Sequence, residues 1–243
     1  MKFSIITCTW YSVSTLQETL DSVVAQDMGH TEHIFVDGGS TDGTLEMIER
    51  YGRASNVLKN VGGGIAHAMN EGAKLATGDL VAHLHSDDYF STPRTLSKVS
   101  AALSKSGAKW LVGRTETLRN GTVVPPLPQK PYSPFRYRCR GFFIAHPATF
   151  VNRELLMSVG LFNEKLRYAM DIDLWLRLIP TEDPCELNDT LTVFREHAGS
   201  LSTSQRDKAR REELRVRLGD PNGNFVTKGM TLWRMLRTLR PAA

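Results

Sequence analysis

Between Lys2 and Leu84 four strand-like runs alternate with three helix-like ones, and no other feature limits the fold as tightly. Lys2 to Thr9 carries Phe3, Ile5 and Ile6 and reads as a buried strand. His33 to Val36, Asn56 to Asn60 and Leu80 to Leu84 read as three more. Ser14 to Gln26 has Leu16, Leu20, Val23 and Val24 on one face, with Ser14 and Gln17 spaced as a capping box. Leu45 to Tyr51 and Ala66 to Ala76 are the other helices. Strand–helix repetition implies an α/β fold: a mostly parallel sheet with helices on both faces. Ligands of such sheets bind beyond the carboxyl ends of the strands. VDGGSTDGT (Val36 to Thr44) and LHSDD (Leu84 to Asp88) both follow strands, so they are expected to border one crevice.

After residue 110 the pattern changes. Trp110 to Leu118 and Thr122 to Val124 form a hairpin around Asn120-Gly121. Pro125 to Pro134 is a proline-rich loop, Phe142 to Asn152 is extended, and Leu191 to Arg195 is a late strand. Asp171 to Ile179 is a short helix with Leu174, Leu178 and Ile179 as core candidates. Net charge is +4, yet the forty residues from Ser204 onward hold ten Lys or Arg against four Asp or Glu. The basic charge thus belongs to a tail, 204–243, appended to a body of 1–203, and no nucleic-acid partner is expected. Within the tail, Met230, Trp233 and Leu236 recur at helical spacing among Arg234, Arg237 and Arg240. That pattern suits either a helix in a membrane interface or one that docks on the body or on a second subunit. Cys8, Cys139 and Cys185 are too few and too widely spaced for a zinc site or a disulfide framework. The opening MKFSIITCTW is too short and polar for a signal peptide, and no run reaches the ~20 apolar residues that span a bilayer. A cytoplasmic location is expected, with peripheral contact at the inner face of the cell membrane as an extension of it.

Asp87 and Asp88 put two like charges side by side where a strand ends. A hard cation such as Mn2+ or Mg2+ would relieve that repulsion, since it takes oxygen ligands from one or two carboxylates plus a substrate phosphate; the plain alternative is an Asp cap in a polar loop. VDGGSTDGT is neither an EF-hand, because position twelve is Ile48, nor a P-loop, because no Gly-Lys-Ser/Thr follows.

Taken in order, Thr9-Trp10, VDGGSTDGT, GGGIAHAMNEGAKLATGDLVAHLHSDD, FFIAHPATFVNRELLMSVGLFNE and MDIDLWLRL form a series that resembles family 2 glycosyltransferases of GT-A fold over roughly residues 2 to 200. The resemblance implies an inverting, metal-dependent enzyme. It would move a sugar from a nucleoside-diphosphate-sugar donor to a saccharide or lipid-linked hydroxyl, in surface polysaccharide or glycolipid assembly. It also implies roles. Thr9, Trp10 and Asp37 would lie beside the nucleotide base, and Asn70 and Gly72 would border the donor. Asp87 would serve the ribose or the metal's waters, and Asp88 would ligate the metal directly. His197 would reach the metal or diphosphate, and His146 would face the acceptor. Asp171 aligns with the general base. The family's usual Glu before it is replaced by Met170, so either that acid is dispensable or Asp173 takes part of its role. The chain also departs from the family at Cys8, Tyr11 and His67; His83 and His85 share one sheet face without an assigned part. Two rivals remain. A metal-dependent nucleotidyltransferase would want a Gly-rich loop with Arg and Lys, which MKFSIITCTWYS lacks. A non-catalytic sugar-nucleotide-binding protein would be distinguished by the absence of turnover.

Overall fold

The computed structural model describes residues 1–29, 31–196 and 205–238. Nine strands form one sheet: β1 (Phe3–Thr9), β2 (Thr31–Asp37), β3 (Ala54–Leu58), β4 (Leu80–His83), β5 (Tyr89–Phe90), β6 (Trp110–Arg119), β7 (Thr122–Val124), β8 (Thr149–Asn152) and β9 (Cys185–Glu196). Its order is β3-β2-β1-β4-β8-β6-β9-β5, with β7 paired to β6. The helices are α1 (Leu16–Val24), α2 (Thr44–Tyr51), α3 (Ile65–Leu75), α4 (Thr95–Ser106), α5 (Pro134–Arg138), α6 (Arg153–Ser158), α7 (Met170–Leu178), α8 (Arg206–Gly219) and α9 (Phe225–Thr238).

Period-two alternation assigns the two faces. Ile6 and Cys8 of β1, Ile34 and Val36 of β2, and Val81 of β4 pack with Met69 and Ala73 of α3 and Leu174 and Leu178 of α7. Phe3, Ile5, Leu80 and Ala82 turn the other way, onto Val23 of α1 and Leu96, Val99 and Leu103 of α4. Phe35 joins Leu16, Leu20 and Ile48 beneath α1 and α2. Gly72 lets α3 lie close on the sheet, because a Cβ there would come within 2.5 Å of Ile6 Cγ2.

Pairing is parallel through β3, β2, β1 and β4, as expected, and again between β6 and β9. β8 runs antiparallel to β4 and β6, and β5 antiparallel to β9, so the sheet is mixed rather than mostly parallel. The chain steps outward from β1 to β3 and then crosses back to β4 on β1's other side. Such a reversal opens a crevice at the strands' carboxyl ends. The hairpin around Asn120-Gly121 is present, with both residues at positive φ (50° and 75°). The expected capping box of α1 does not form: Thr15 is the N-cap, and no side chain bonds to the free amides.

α8 and α9 lie against α7 and α5 through polar contacts. Arg138 Nε pairs with Asp220 Oδ2 at 2.9 Å, Arg140 Nε with Glu213 Oε1 at 2.7 Å, and Arg217 Nη1 donates to the Tyr137 carbonyl at 2.6 Å. On α9 the buried positions are Thr227, Thr231 and Met235. Trp233, expected on a docking face under one reading of the tail, is 52% exposed.

Candidate active site

The loops after β1, β2 and β4 are stitched together at the crevice. Asp37 ends β2, has no exposed surface, and accepts four hydrogen bonds. Gly39 N (2.9 Å) and Ser40 N (2.8 Å) donate to Oδ1; Thr9 Oγ1 (2.7 Å) and Ser40 Oγ (2.6 Å) donate to Oδ2. Burial by itself would raise this carboxyl, but the Ser40, Thr9 and Gly39 donors outweigh it and hold the group below its ordinary range. Ser12 and Ser86 hydroxyls sit 2.7 Å apart and join the β1 loop to the acidic loop. Trp10, at the tip, is 71% exposed, with Tyr11 edge-on at 5.5 Å.

Thr9, Asp37 and Asn70 therefore differ from the expectation of ligand contact. Each is buried with its polar atoms engaged inside the protein. Asn70 Nδ2 donates to Phe162 O (2.9 Å) and Glu164 Oε1 (2.8 Å), and its Oδ1 accepts from Phe162 N (2.9 Å). It clamps α3 to the chain that leads toward α7. A nucleotide base could reach Asp37 only by displacing one of its four donors. Trp10 and Asp87 are the members of the expected set with surface to offer.

Asp88, expected at the border of the crevice as a metal ligand, is 2% exposed. Its Oδ1 accepts from Arg195 N at 3.1 Å, and its carbonyl accepts from Thr19 Oγ1 at 2.7 Å. Burial first, and the adjacent Asp87 second, push its carboxyl well above the ordinary range; the Arg195 amide opposes them. Arg195 was not singled out by sequence, although it lies two residues before His197. Its guanidinium donates to the Asp87 carbonyl (3.3 Å), pairs with Glu18, and lies 6.0 Å from the centre of the Tyr89 ring. His197 lies outside the described residues.

A divalent cation fits the donor chemistry here. Two oxygen-bearing carboxylates adjoin, and one is destabilised by its neighbour in a way a positive ion would reverse. Among the described residues no three His, Cys, Asp or Glu converge as a ready-made cage, so an ion would take further ligands from a bound diphosphate.

Three imidazoles connect the acidic loop to α7. His85 stacks on His146 at 5.4 Å, His83 lies 5.6 Å from His146, and His146 lies 5.9 Å from Trp175. Burial lowers all three, His83 to about 3, with the neighbouring imidazoles deepening the shift at His83 and His146 and Asp87 opposing it at His85; the uncharged form is favoured throughout. Trp175 stands one helical turn beyond Asp171, on the same face of α7.

Asp171 lies in the first turn of α7, accepts from Ile172 N at 2.7 Å, and is partly exposed. Burial is the main reason its carboxyl rises from 3.8 to about 6; Glu213 adds to the rise, and Ile172 N–H and Arg217 oppose it. Met170 is buried in the core. Asp173 does not stand in for the missing Glu: its Oδ2 takes Arg177 Nε and Nη2 at 2.9 and 2.7 Å, one turn along the helix. Glu213 and Arg217, both on α8, were also missed by sequence. The visible signal was an acidic pair, Glu212-Glu213, inside an otherwise basic run.

Comparison with known proteins bears on the family and the fold. The family model described as Glycosyl transferase family 2 matches residues 4–158. An uncharacterized glycosyltransferase of Mycobacterium tuberculosis is 30% identical over 196 residues, covering 79% of this chain and 74% of that one. A PGL/p-HBAD biosynthesis glycosyltransferase of Mycobacterium bovis is 30% identical over 189 residues, covering 72% and 68%. Among solved structures, S. aureus TarS residues 1-349 superimposes with a TM-score of 0.76 at 23% identity, covering 99% of this chain and 73% of that one. The chain spans 43% of a longer TarS structure. Mannosyltransferase PcManGT from Pyrobaculum calidifontis, in complex with GDP-Man and Mn2+, gives 0.69 at 19% identity, covering 98% and 70%. At these identities the solved structures speak for the fold, which is the expected α/β glycosyltransferase architecture. The family match covers most of the chain, and the curated relatives extend it past α7: this protein belongs to glycosyl transferase family 2.

Proposed function

We propose that the protein transfers a sugar, with inversion, from a nucleoside-diphosphate-sugar donor to a hydroxyl of a saccharide or lipid-linked acceptor, in the assembly of a surface polysaccharide or glycolipid. The observation that carries this reading is Asp171. It is a partly exposed carboxyl at a helix start, held at about 6, on the helix whose Trp175, one turn on, lies 5.9 Å from His146 in the histidine cluster. A base poised near neutrality takes a proton most effectively.

In this mechanism the exposed Trp10 ring stacks on the nucleotide base, while Thr9 and Asp37 hold the turn beneath it. Asp87 and Asp88 are the residues that would hold Mn2+ or Mg2+ against the donor's diphosphate, with His197 a further ligand. The ion supplies electrostatic stabilisation of the departing diphosphate when bound. Asp171 accepts the proton of the acceptor hydroxyl as its oxygen attacks the anomeric carbon from the face opposite the leaving group. The neutral histidine wall keeps competing positive charge away from the reacting oxygen. The relatives support the substrate class, since one is named for PGL/p-HBAD biosynthesis and a structural neighbour is bound to UDP-GlcNAc.

The reading includes work at a membrane surface. α9 presents Phe225, Val226, Leu232, Trp233 and Leu236 outward while Thr227 and Thr231 face in, an inversion of ordinary burial. Lys228 and Arg237 lie among them, Arg237 over the Trp233 ring at 4.4 Å, so an anionic lipid surface is complementary. Among the described residues no helix is long and apolar enough to cross a membrane.

The test is a thermal-shift and turnover screen of nucleoside diphosphates and their sugars, with Mn2+ and with chelator. One nucleoside diphosphate should stabilise the protein in the presence of metal, and its sugar should be consumed. Stabilisation without turnover for any acceptor class would favour a binding protein instead.

A further inference from the structure

α7 begins without a cap of its own. Ala169 precedes it and offers no side-chain acceptor, and Met170 is turned into the core. Three consecutive amides leading into the helix, those of Arg167, Tyr168 and Ala169, instead converge on one carboxylate from another helix. Glu212 Oε2, on α8, accepts from Arg167 N at 3.0 Å, from Tyr168 N, and from Ala169 N at 2.8 Å. Successive amides of this kind form an anion-binding concavity, and the positive end of a helix dipole lies immediately behind it. The next residue of α8, Glu213, and Arg217 one turn further act electrostatically on Asp171. Arg217 is held in place by Glu213 (2.8 Å) and by the Tyr137 carbonyl.

We infer that Glu212 is the positioning residue of the active site: it supplies, from α8, the carboxylate that Met170 cannot supply next to Asp171. The inference rests on Asp171 being the base. Glu212 touches no reacting atom. It fixes the 167–169 segment to α8, so the base carboxylate keeps its distance from the acceptor and its place beside Glu213 and Arg217. Oε2 takes all three amides, and Oε1 takes only a second, longer bond from Arg167 N (3.2 Å), so the role requires reach and one well-placed acceptor oxygen more than it requires charge.

Glu212→Ala should lower kcat about 10- to 10²-fold, the range expected of an ångström-scale misplacement, with donor KM within about twofold of the parent. The acidic midpoint of kcat should also move below 6 as Asp171 gains solvent. Glu212→Gln keeps the reach and a carbonyl acceptor, and should retain most of kcat. Glu212→Asp keeps the charge but falls short, and should resemble the alanine protein. Should Glu212→Ala fail to fold, the Gln-against-Asp comparison decides alone. The inference is overturned if Glu212→Ala has parental kcat and pH midpoint, or if Gln is no better than Asp. An active Asp171→Asn protein would instead remove the base assignment, a result seen without altering Glu212.

Discussion

Replacing Asp171 by Asn should move activity and stability in opposite directions. The carboxyl is carried from 3.8 to about 6, mainly by burial. Its folded form therefore keeps a proton between about pH 4 and 6 where the unfolded chain has lost it. Over that window the folded state binds more protons, so stability falls as pH rises, and the loss is complete above 6. The ionised group costs the fold about 3 kcal/mol at pH 7 as an upper bound, at about 1.4 kcal/mol per tenfold change in proton affinity. Partial exposure trims that figure. Asn removes the cost, so the Asp171→Asn protein should be the more stable at pH 7 and close to the parent near pH 3. Its kcat should fall about 10²-fold or more, as when a general base is lost. The parent's kcat should rise with pH through a midpoint near 6, and the variant's residual rate should lack that limb. Thermal unfolding from pH 3 to 8 and rate–pH profiles on the two proteins are the assay. A parent midpoint near 4, or an Asn protein less stable than the parent at pH 7, would refute the reasoning.

Other outcomes follow from the same geometry. Asp88→Asn preserves an acceptor for Arg195 N and relieves repulsion with Asp87, so it should fold; metal-dependent donor binding, followed by calorimetry, should be lost, and unchanged binding would count against the metal site. Gly72→Ala should cost about 1–3 kcal/mol in thermal unfolding, because its Cβ would press on Ile6 at the α3–β1 contact; a neutral result would mean α3 is free to shift. The full chain should co-sediment with anionic vesicles at low salt and detach at high salt, each headgroup contact by Lys228 or Arg237 being worth about 1 kcal/mol. Trp233→Glu should weaken that binding without altering donor affinity, whereas retention on neutral vesicles alone, or a dimer disrupted by the same change, would point to another occupant of the helix face.

The legible parts of this chain were those decided by short-range pattern. The period-two strands β1 and β4 read directly, as did the Asn120-Gly121 hairpin, the buried Leu174 and Leu178 of α7, and Ile179 just past its end. α4 was missed although Leu96, Val99 and Leu103 share a helical face, because neither an N-terminal acid nor a side-chain cap marks its start. The antiparallel β5 and β8 were not foreseen, since strand direction is set by the partner and not by the strand's own residues. The sequence reading of β9 is seven of its twelve residues short, six of them at its start: Glu186, Asn188 and Thr190 look like loop until β6 is placed alongside. At the site, residue types pointed to carboxylates and histidines, but burial decided their parts. Asp37 is occupied by the turn that follows it and by Thr9, and Asn70 by the chain at Phe162 and Glu164, contacts that residue type alone does not reveal. Glu212 was invisible because its partners lie more than forty residues upstream.

The central claim is that a donor held against Asp87 and Asp88 reacts with a hydroxyl deprotonated by Asp171. Its most direct test uses water as the acceptor and follows slow donor hydrolysis by proton NMR before the released sugar mutarotates. The anomer formed first should have the configuration opposite to the donor's, with Mn2+ required and the rate about 10²-fold or more lower in Asp171→Asn. A first-formed anomer of retained configuration, or hydrolysis undiminished in Asp171→Asn, would contradict the account.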